Sequence, residues 1–152
     1  MNILLCLTPK SKVVHVLSDQ TIRQTLEKMQ NYRYSAIPII AKEGHYIGTI
    51  SEGDLLWFIK SHKLNFSKIE KMSILDVPRS KNMQPISANA NMKDIIDLST
   101  QQNFVPVVDD YDTFIGIITR KAIVNYMVEK MVVSEPLPKK PSEELIKKGA
   151  RP

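Results

Sequence analysis

The hexapeptide Tyr46-Ile47-Gly48-Thr49-Ile50-Ser51 returns 68 residues later as Phe114-Ile115-Gly116-Ile117-Ile118-Thr119. Each copy is a β-branched and aromatic run with glycine third and a hydroxyl residue last, the composition of a short strand that ends at a helix cap. The same offset carries Pro38-Ile39-Ile40 onto Pro106-Val107-Val108. It also carries Leu55-Leu56 and Phe58-Ile59 onto Ile123-Val124 and Tyr126-Met127, with no gap from Pro38 to Ile59. Upstream, Ile22 and Leu26 answer to Met92 and Ile96 at an offset of 70. The chain is one structural unit written twice.

Each copy has the same local reading. Val13 to Val16 is short and β-branched, a strand. Ser18-Asp19-Gln20 supplies cap-type residues before Ile22, Leu26 and Met29, whose spacing places them on one helix face. Ala36 to Ile40 is a second strand, the Gly44 region a turn, and Tyr46 to Ile50 a third strand. Ser51 then caps a helix from Glu52 to about Lys60. The second copy repeats the order: Gln84 to Ser87, Met92 to Gln102, Val105 to Val108, Thr113 to Ile118, and Arg120 to about Met131.

The expected fold is therefore mixed α/β (α+β), each repeat reading strand, helix, strand, strand, helix. Residues 1–61 form an N-terminal helix and the first repeat, and 62–82 a polar connector with one helical turn around Phe66 to Lys71. Residues 83–133 form the second repeat and 134–152 a proline- and lysine-rich tail. Within the tail, Ser142 to Ile146 has a plausible cap, and Gly149 could stop a helix there.

Composition narrows the function. An apolar fraction of 43% and a charged fraction of 24% over 152 residues are those of an ordinary soluble domain with a real core. The lone Cys6, inside the run Ile3-Leu4-Leu5-Cys6-Leu7, cannot form an internal disulfide and suits a buried position in a reducing cytosol. That run is too short for a signal peptide, and no stretch approaches the roughly 20 apolar residues of a membrane span. A cytoplasmic protein away from membranes is expected.

Of the basic residues behind the net charge of +5, Lys139, Lys140, Lys147, Lys148 and Arg151 lie in the tail. The remainder interleave with acids and favour anions in general. The aromatics fall at core spacing, so nucleic acid is not the expected partner. His15, His45 and His62 share no metal spacing, and no P-loop or nucleophile–base pair stands out. No catalytic residue, metal or cofactor is assigned, and the chain is not expected to be an enzyme.

Gly48-Thr49-Ile50-Ser51-Glu52-Gly53-Asp54, with Ser35-Ala36-Ile37-Pro38 before it, resembles the hallmark of cystathionine-β-synthase (CBS) domains. Phe104-Val105-Pro106 and Gly116-Ile117-Ile118-Thr119 repeat the resemblance in the second copy, so that it covers roughly Thr8 to Met131. It implies two CBS repeats packed through their sheets as a pseudo-twofold pair, able to join a second pair as a homodimer. It also implies adenine nucleotides bound where the hallmark of one copy faces the first two strands of the other. One site would combine Thr49, Ser51, Gly53 and Asp54 with Gln84, Ile86, Asn103 and Phe104. The other would combine Ile117, Thr119, Arg120 and Lys121 with Val14, Tyr34, Ser35, Ala36 and Lys12. Lys12 to Val16, Tyr34 to Pro38, Asp76 to Arg79 and Thr119 to Lys121 further resemble segments of bacterial CBS-pair proteins that sense cyclic di-AMP.

The residues themselves allow two readings of each site. Ser51 can cap its helix or bind a phosphate oxygen at the helix N-terminus. Asp54 is either a first-turn acid favoured by the helix dipole or an acceptor for both hydroxyls of a ribose diol. In the second copy Arg120, Lys121 and Ala122 stand where Glu52, Gly53 and Asp54 stand in the first. Two cations at a helix N-terminus are either a solvated surface or the partners of an anion. Tyr34 either packs beside Pro38 or borders an adenine. The first site thus suits AMP, ADP or ATP, and the second a cyclic dinucleotide, which has phosphates but no free ribose diol. The ligand would signal to an unidentified partner protein. The alternative is a dimerisation or protein-interaction module that needs no ligand.

Overall fold

A computed structural model of the chain describes residues 2–134. The first repeat holds β2 (Val16–Leu17), α1 (Ile22–Tyr32), β3 (Ala36–Ile40), β4 (Tyr46–Ser51) and α2 (Glu52–Ser61). After α3 (Phe66–Ile69), the second holds β5 (Ile86–Ser87), α4 (Met92–Ser99), β6 (Phe104–Val108), β7 (Phe114–Thr119) and α5 (Arg120–Ser134). One sheet has the order β2-β3-β4; the other is β1-β7-β6-β5, where β1 is Thr8–Pro9. Within each repeat the first pairing is parallel and the second antiparallel, with Ile37 opposite Ile50 and Val105 opposite Ile118. The chain forms the expected pair of strand-helix-strand-strand-helix units.

Several element ends differ from expectation. The strand expected over Val13 to Val16 contracts to Val16–Leu17, because Val13 closes a 3-10 turn by donating to Lys10 O. Its side chain is buried between the repeats with Ile40 and Phe114. Likewise Gln84 to Ser87 contracts to Ile86–Ser87. The cap of α1 is Thr21, whose hydroxyl accepts from Gln24 N while the Gln24 side chain accepts from Thr21 N, a reciprocal capping box. Helix α4 stops at Ser99, three residues short of Gln102; the Ser99 and Thr100 hydroxyls donate back to Ile96 O and Asp97 O there. The expected tail helix at Ser142 to Ile146 lies outside the described residues.

Each repeat has its own core. Ile22 and Met29 of α1 meet Ile37, Ile39 and Ile50 of the first sheet and Leu55 and Phe58 of α2. Ile95 of α4 meets Val105, Val107 and Ile118 of the second sheet and Ile123 of α5. The segments that precede the repeats, however, cross over. Ile3 is buried in the second core, with Cys6 and Leu7 packed beside it. Ile69, Ile74 and Val77 of the connector are buried in the first. Ile22 N donates to Met72 O and Ile74 N to Gln20 O, so the connector is sewn to the repeat it follows. Residues 3–9 therefore pack with the second repeat and much of 62–82 with the first.

The glycine of the repeated hexapeptide explains how these segments fit. A Cβ on Gly116 would collide with the backbone oxygen of Thr8, which pairs there as part of β1. A Cβ on Gly48 would stand 2.5 Å from Arg79 Nε, whose side chain lies across that strand. Position 116 must be bare so that the arriving strand can close on the sheet, and at position 48 the missing side chain leaves room for Arg79.

The repeats join through a small cluster of Val13, Ile40 and Phe114, with the Tyr46 ring stacked 6.2 Å from Phe114. Phe114 N donates to Gly44 O across this seam. Tyr46 Oη donates to Met83 O at 2.9 Å and shares a hydrogen bond with Thr49 Oγ1 at 2.8 Å. Burial pushes the Tyr46 phenol up to about 12, although the Thr49 bond and the Arg79 charge oppose the shift. The hydroxyl is therefore a fixed neutral strut between repeat and connector.

Candidate functional site

The two helix caps are anchored in the same way. Glu52 N donates to Ser35 O and Arg120 N to Asn103 O, each at 2.9 Å, tying each α2 or α5 start to the entry of its own middle strand. Ser35, Ala36, Asn103 and Phe104 then wall two clefts, one on each side.

The first cleft, of about 270 Å³, collects Thr49, Ser51, Gly53 and Asp54 with Asn103 and Phe104, as expected. Glu52, beside the expected site in the sequence, lines it too; sequence reasoning missed Gln101, Gln102 and Met83, and also Ser80 and Lys81 from the connector, which carried no periodic signal. Gln84 and Ile86 do not line it. Ile86 is buried in the second core, and Gln84 is exposed. Ile86 faces that core from within β5, and Gln84 precedes the strand, which starts two residues later than expected.

Asp54 and Ser51 make the reciprocal cap of α2. Ser51 Oγ accepts from Asp54 N at 3.1 Å, and Asp54 Oδ2 accepts from Ser51 N at 3.0 Å. The other carboxylate oxygen accepts from Ser80 N at 3.0 Å. Burial alone would raise this carboxyl, but the donors from Ser80 and Ser51 outweigh it and hold the group below its ordinary value.

The second cleft, of about 320 Å³, gathers Lys12, Val14, Tyr34, Ser35, Ala36, Ile117 and Thr119, as expected, together with Asn103 and Phe104. Thr8, Val13, Ile37 and Pro38, not singled out in the sequence, complete a more apolar wall. Thr119 Oγ1 accepts from Ala122 N at 3.1 Å, retaining the cap without a carboxylate.

Arg120 and Lys121 line neither cleft. Arg120 Nε donates to Ser99 O at 2.9 Å and a terminal nitrogen donates to Gln102 O at 3.1 Å. The guanidinium thus neutralises the carbonyl end of α4, where a cation is favoured, and does not line the cleft in which a phosphate role was expected for it. Lys121 is exposed. Among the lining residues of the second cleft the charged side chain is Lys12; the first cleft carries Glu52, Asp54 and Lys81. The two clefts are chemically unequal.

Among the described residues no group of three or more His, Cys, Asp or Glu side chains is placed to hold a metal ion. No helix among them is long and apolar enough to cross a membrane.

Comparison with known proteins places this geometry. The solved structure of CbpB in complex with c-di-AMP superposes with a TM-score of 0.78 at 24% identity, covering 89% of this chain and 91% of that one. CbpB of Listeria monocytogenes in complex with c-di-AMP gives a TM-score of 0.76 at 25% identity, over 89% of this chain and 100% of that one. CBSX2 in complex with AMP gives 0.67 at 24% identity, over 86% and 98%. Two uncharacterised proteins of Methanocaldococcus jannaschii are 26% identical over 121 residues and 23% over 137. This chain aligns over 78% and 82% of its own length with them, but spans only 42% and 49% of theirs. The family model for the CBS domain matches twice, at residues 6–61 and 74–129. With both halves matched and the paired architecture in place, the chain belongs to the CBS-domain family.

Proposed function

We propose that the protein is a regulatory CBS pair that binds an adenine nucleotide between its repeats and signals to a partner protein. The observation that carries this reading is the second cleft. Its apolar walls come from both repeats, Ala36, Ile37 and Pro38 on one side and Phe104 and Ile117 on the other, with Lys12 at the rim. Flat apolar walls suit a nucleobase and the lysine suits a phosphate. The complexes of CbpB with c-di-AMP and of CBSX2 with AMP support the ligand class. The first cleft, with Asp54 facing it, suits the ribose of AMP, ADP or ATP.

A ligand held by both repeats favours the arrangement in which the two walls are at the right spacing, and it shifts the equilibrium by its differential affinity for that arrangement. The pair acts by binding and without turnover, in the cytoplasm. It self-associates through α2 and α5, where Leu56 and Val124 occupy equivalent exposed positions beside Trp57 and Val128.

Thermal-shift titration with AMP, ADP, ATP and cyclic di-AMP tests the reading. Melting temperature should rise with the logarithm of ligand concentration for at least one of them. No stabilisation by any of the four at millimolar concentration would sink it, and steady hydrolysis of ATP would overturn the non-catalytic part.

A further inference from the structure

A second groove opens from the second cleft, and Lys12, Val13 and Val14 wall both. It measures about 290 Å³, and its far side is formed by Lys28 and Tyr32 of α1 together with His15. No carboxylate lines it. Lys28 Nζ donates to His15 O at 2.7 Å, which holds the ammonium against the groove and leaves two of its three N–H donors for another acceptor.

An aromatic wall runs from cleft to groove. Helix α1 ends at Tyr32, and Arg33 turns the chain in the left-handed conformation with φ 59°. This brings Tyr34 back beside Tyr32, their rings 6.5 Å apart and inclined by 17°. Tyr34 lines the cleft and Tyr32 the groove. Both tyrosines are about half exposed or more, at 48% and 60%.

We propose that this groove is the phosphate subsite of the second cleft and that it selects ligands with at least two phosphoryl groups. The proposal rests on the reading of that cleft as a nucleoside site. A first phosphate meets Lys12 at the shared rim; a second reaches Lys28 along the tyrosine wall. The first cleft has no such extension among its lining residues and carries Glu52 and Asp54 beside a single lysine, Lys81, so each added phosphate gains less there. A nucleoside polyphosphate and a cyclic dinucleotide share the required chemistry. Their separate titration tells them apart.

The test is calorimetric titration of the wild type and Lys28→Gln with adenosine, AMP, ATP and cyclic di-AMP. Glutamine keeps a donor for His15 O but removes the charge. The wild type should bind ATP or cyclic di-AMP about tenfold more tightly than AMP, a gain the variant loses while adenosine and AMP stay within about twofold. Lys28→Arg should restore it. An equal loss for all four ligands, or no loss for any, overturns the subsite. If adenosine binds and phosphates add nothing, the groove fails and the nucleoside reading stands. If no nucleoside compound binds, that reading fails, and inorganic tripolyphosphate decides the groove alone. NMR shifts at Lys28 and Tyr32 that vanish in Lys28→Gln support it, and their absence overturns it.

Discussion

The Asp54 carboxylate accepts the backbone N–H of Ser80 at 3.0 Å, a bond that joins the first turn of α2 to connector residues 26 positions later. The same carboxylate closes the α2 cap through Ser51 N. One side chain therefore holds together the floor and the roof of the first cleft.

Asp54→Ala should lower unfolding free energy by about 1–2 kcal/mol, because two part-buried donors lose their acceptor. Urea denaturation checks this. The pH dependence has a definite sign. The folded carboxyl sits below its ordinary value of 3.8, so its stabilisation is present above that pH and is lost as pH falls through the folded value. Asp54→Asn should flatten this acid limb of the stability curve; an unchanged limb would refute the assignment.

Arg120→Ala should cost about 1 kcal/mol of stability, since two carbonyls at the end of α4 lose a charged donor at a partly exposed site. Nucleotide affinity should stay within about twofold of wild type, for which direct titration suffices. A larger loss would return the guanidinium to the binding site.

The two hexapeptide glycines should respond unequally to alanine. At Gly116 the obstacle is the Thr8 backbone, which cannot step aside without leaving β7, so Gly116→Ala should cost about 2–3 kcal/mol. At Gly48 the obstacle is the Arg79 side chain, which can swing away, so the loss should be smaller. Hydrogen exchange should further show residues 3–9 opening selectively in Gly116→Ala.

Leu56→Asp and Val124→Asp should each shift the protein from dimer to monomer in sedimentation velocity at micromolar concentration. Both positions are exposed, at 57% and 50%, so neither change disturbs the core. Melting temperature extrapolated to infinite dilution should stay near that of the wild type. The single tryptophan, Trp57, lies on the same helix and should report association through its emission.

The repeat made the fold legible, since alternation, caps and glycine spacing recur in both copies. The Ser51–Asp54 pair was legible for the same reason: a cap three residues from its partner is a local rule. What escaped was contact between residues far apart without periodicity. Ile3 to Leu7 reads as an apolar run that either core could accept, and nothing local says it joins the second. Arg120 sits in sequence at the start of α5, but its long side chain serves the end of α4, 18 to 21 residues earlier. Lys28 and Tyr32 fall outside the helix face set by Ile22, Leu26 and Met29, and nothing local places them against Ser11 to His15.

The exchange of leading segments means that the unit duplicated in the sequence is not a unit that can be excised. A fragment ending at residue 61 would carry the cover of the missing half while leaving its own core open where Ile69, Ile74 and Val77 belong. The complementary fragment would lack Ile3 and the strand that pairs with β7. Each half expressed alone should aggregate, whereas the two co-expressed should reassemble. An inserted tag or a permuted terminus placed between residues 62 and 66 would leave both exchanges intact.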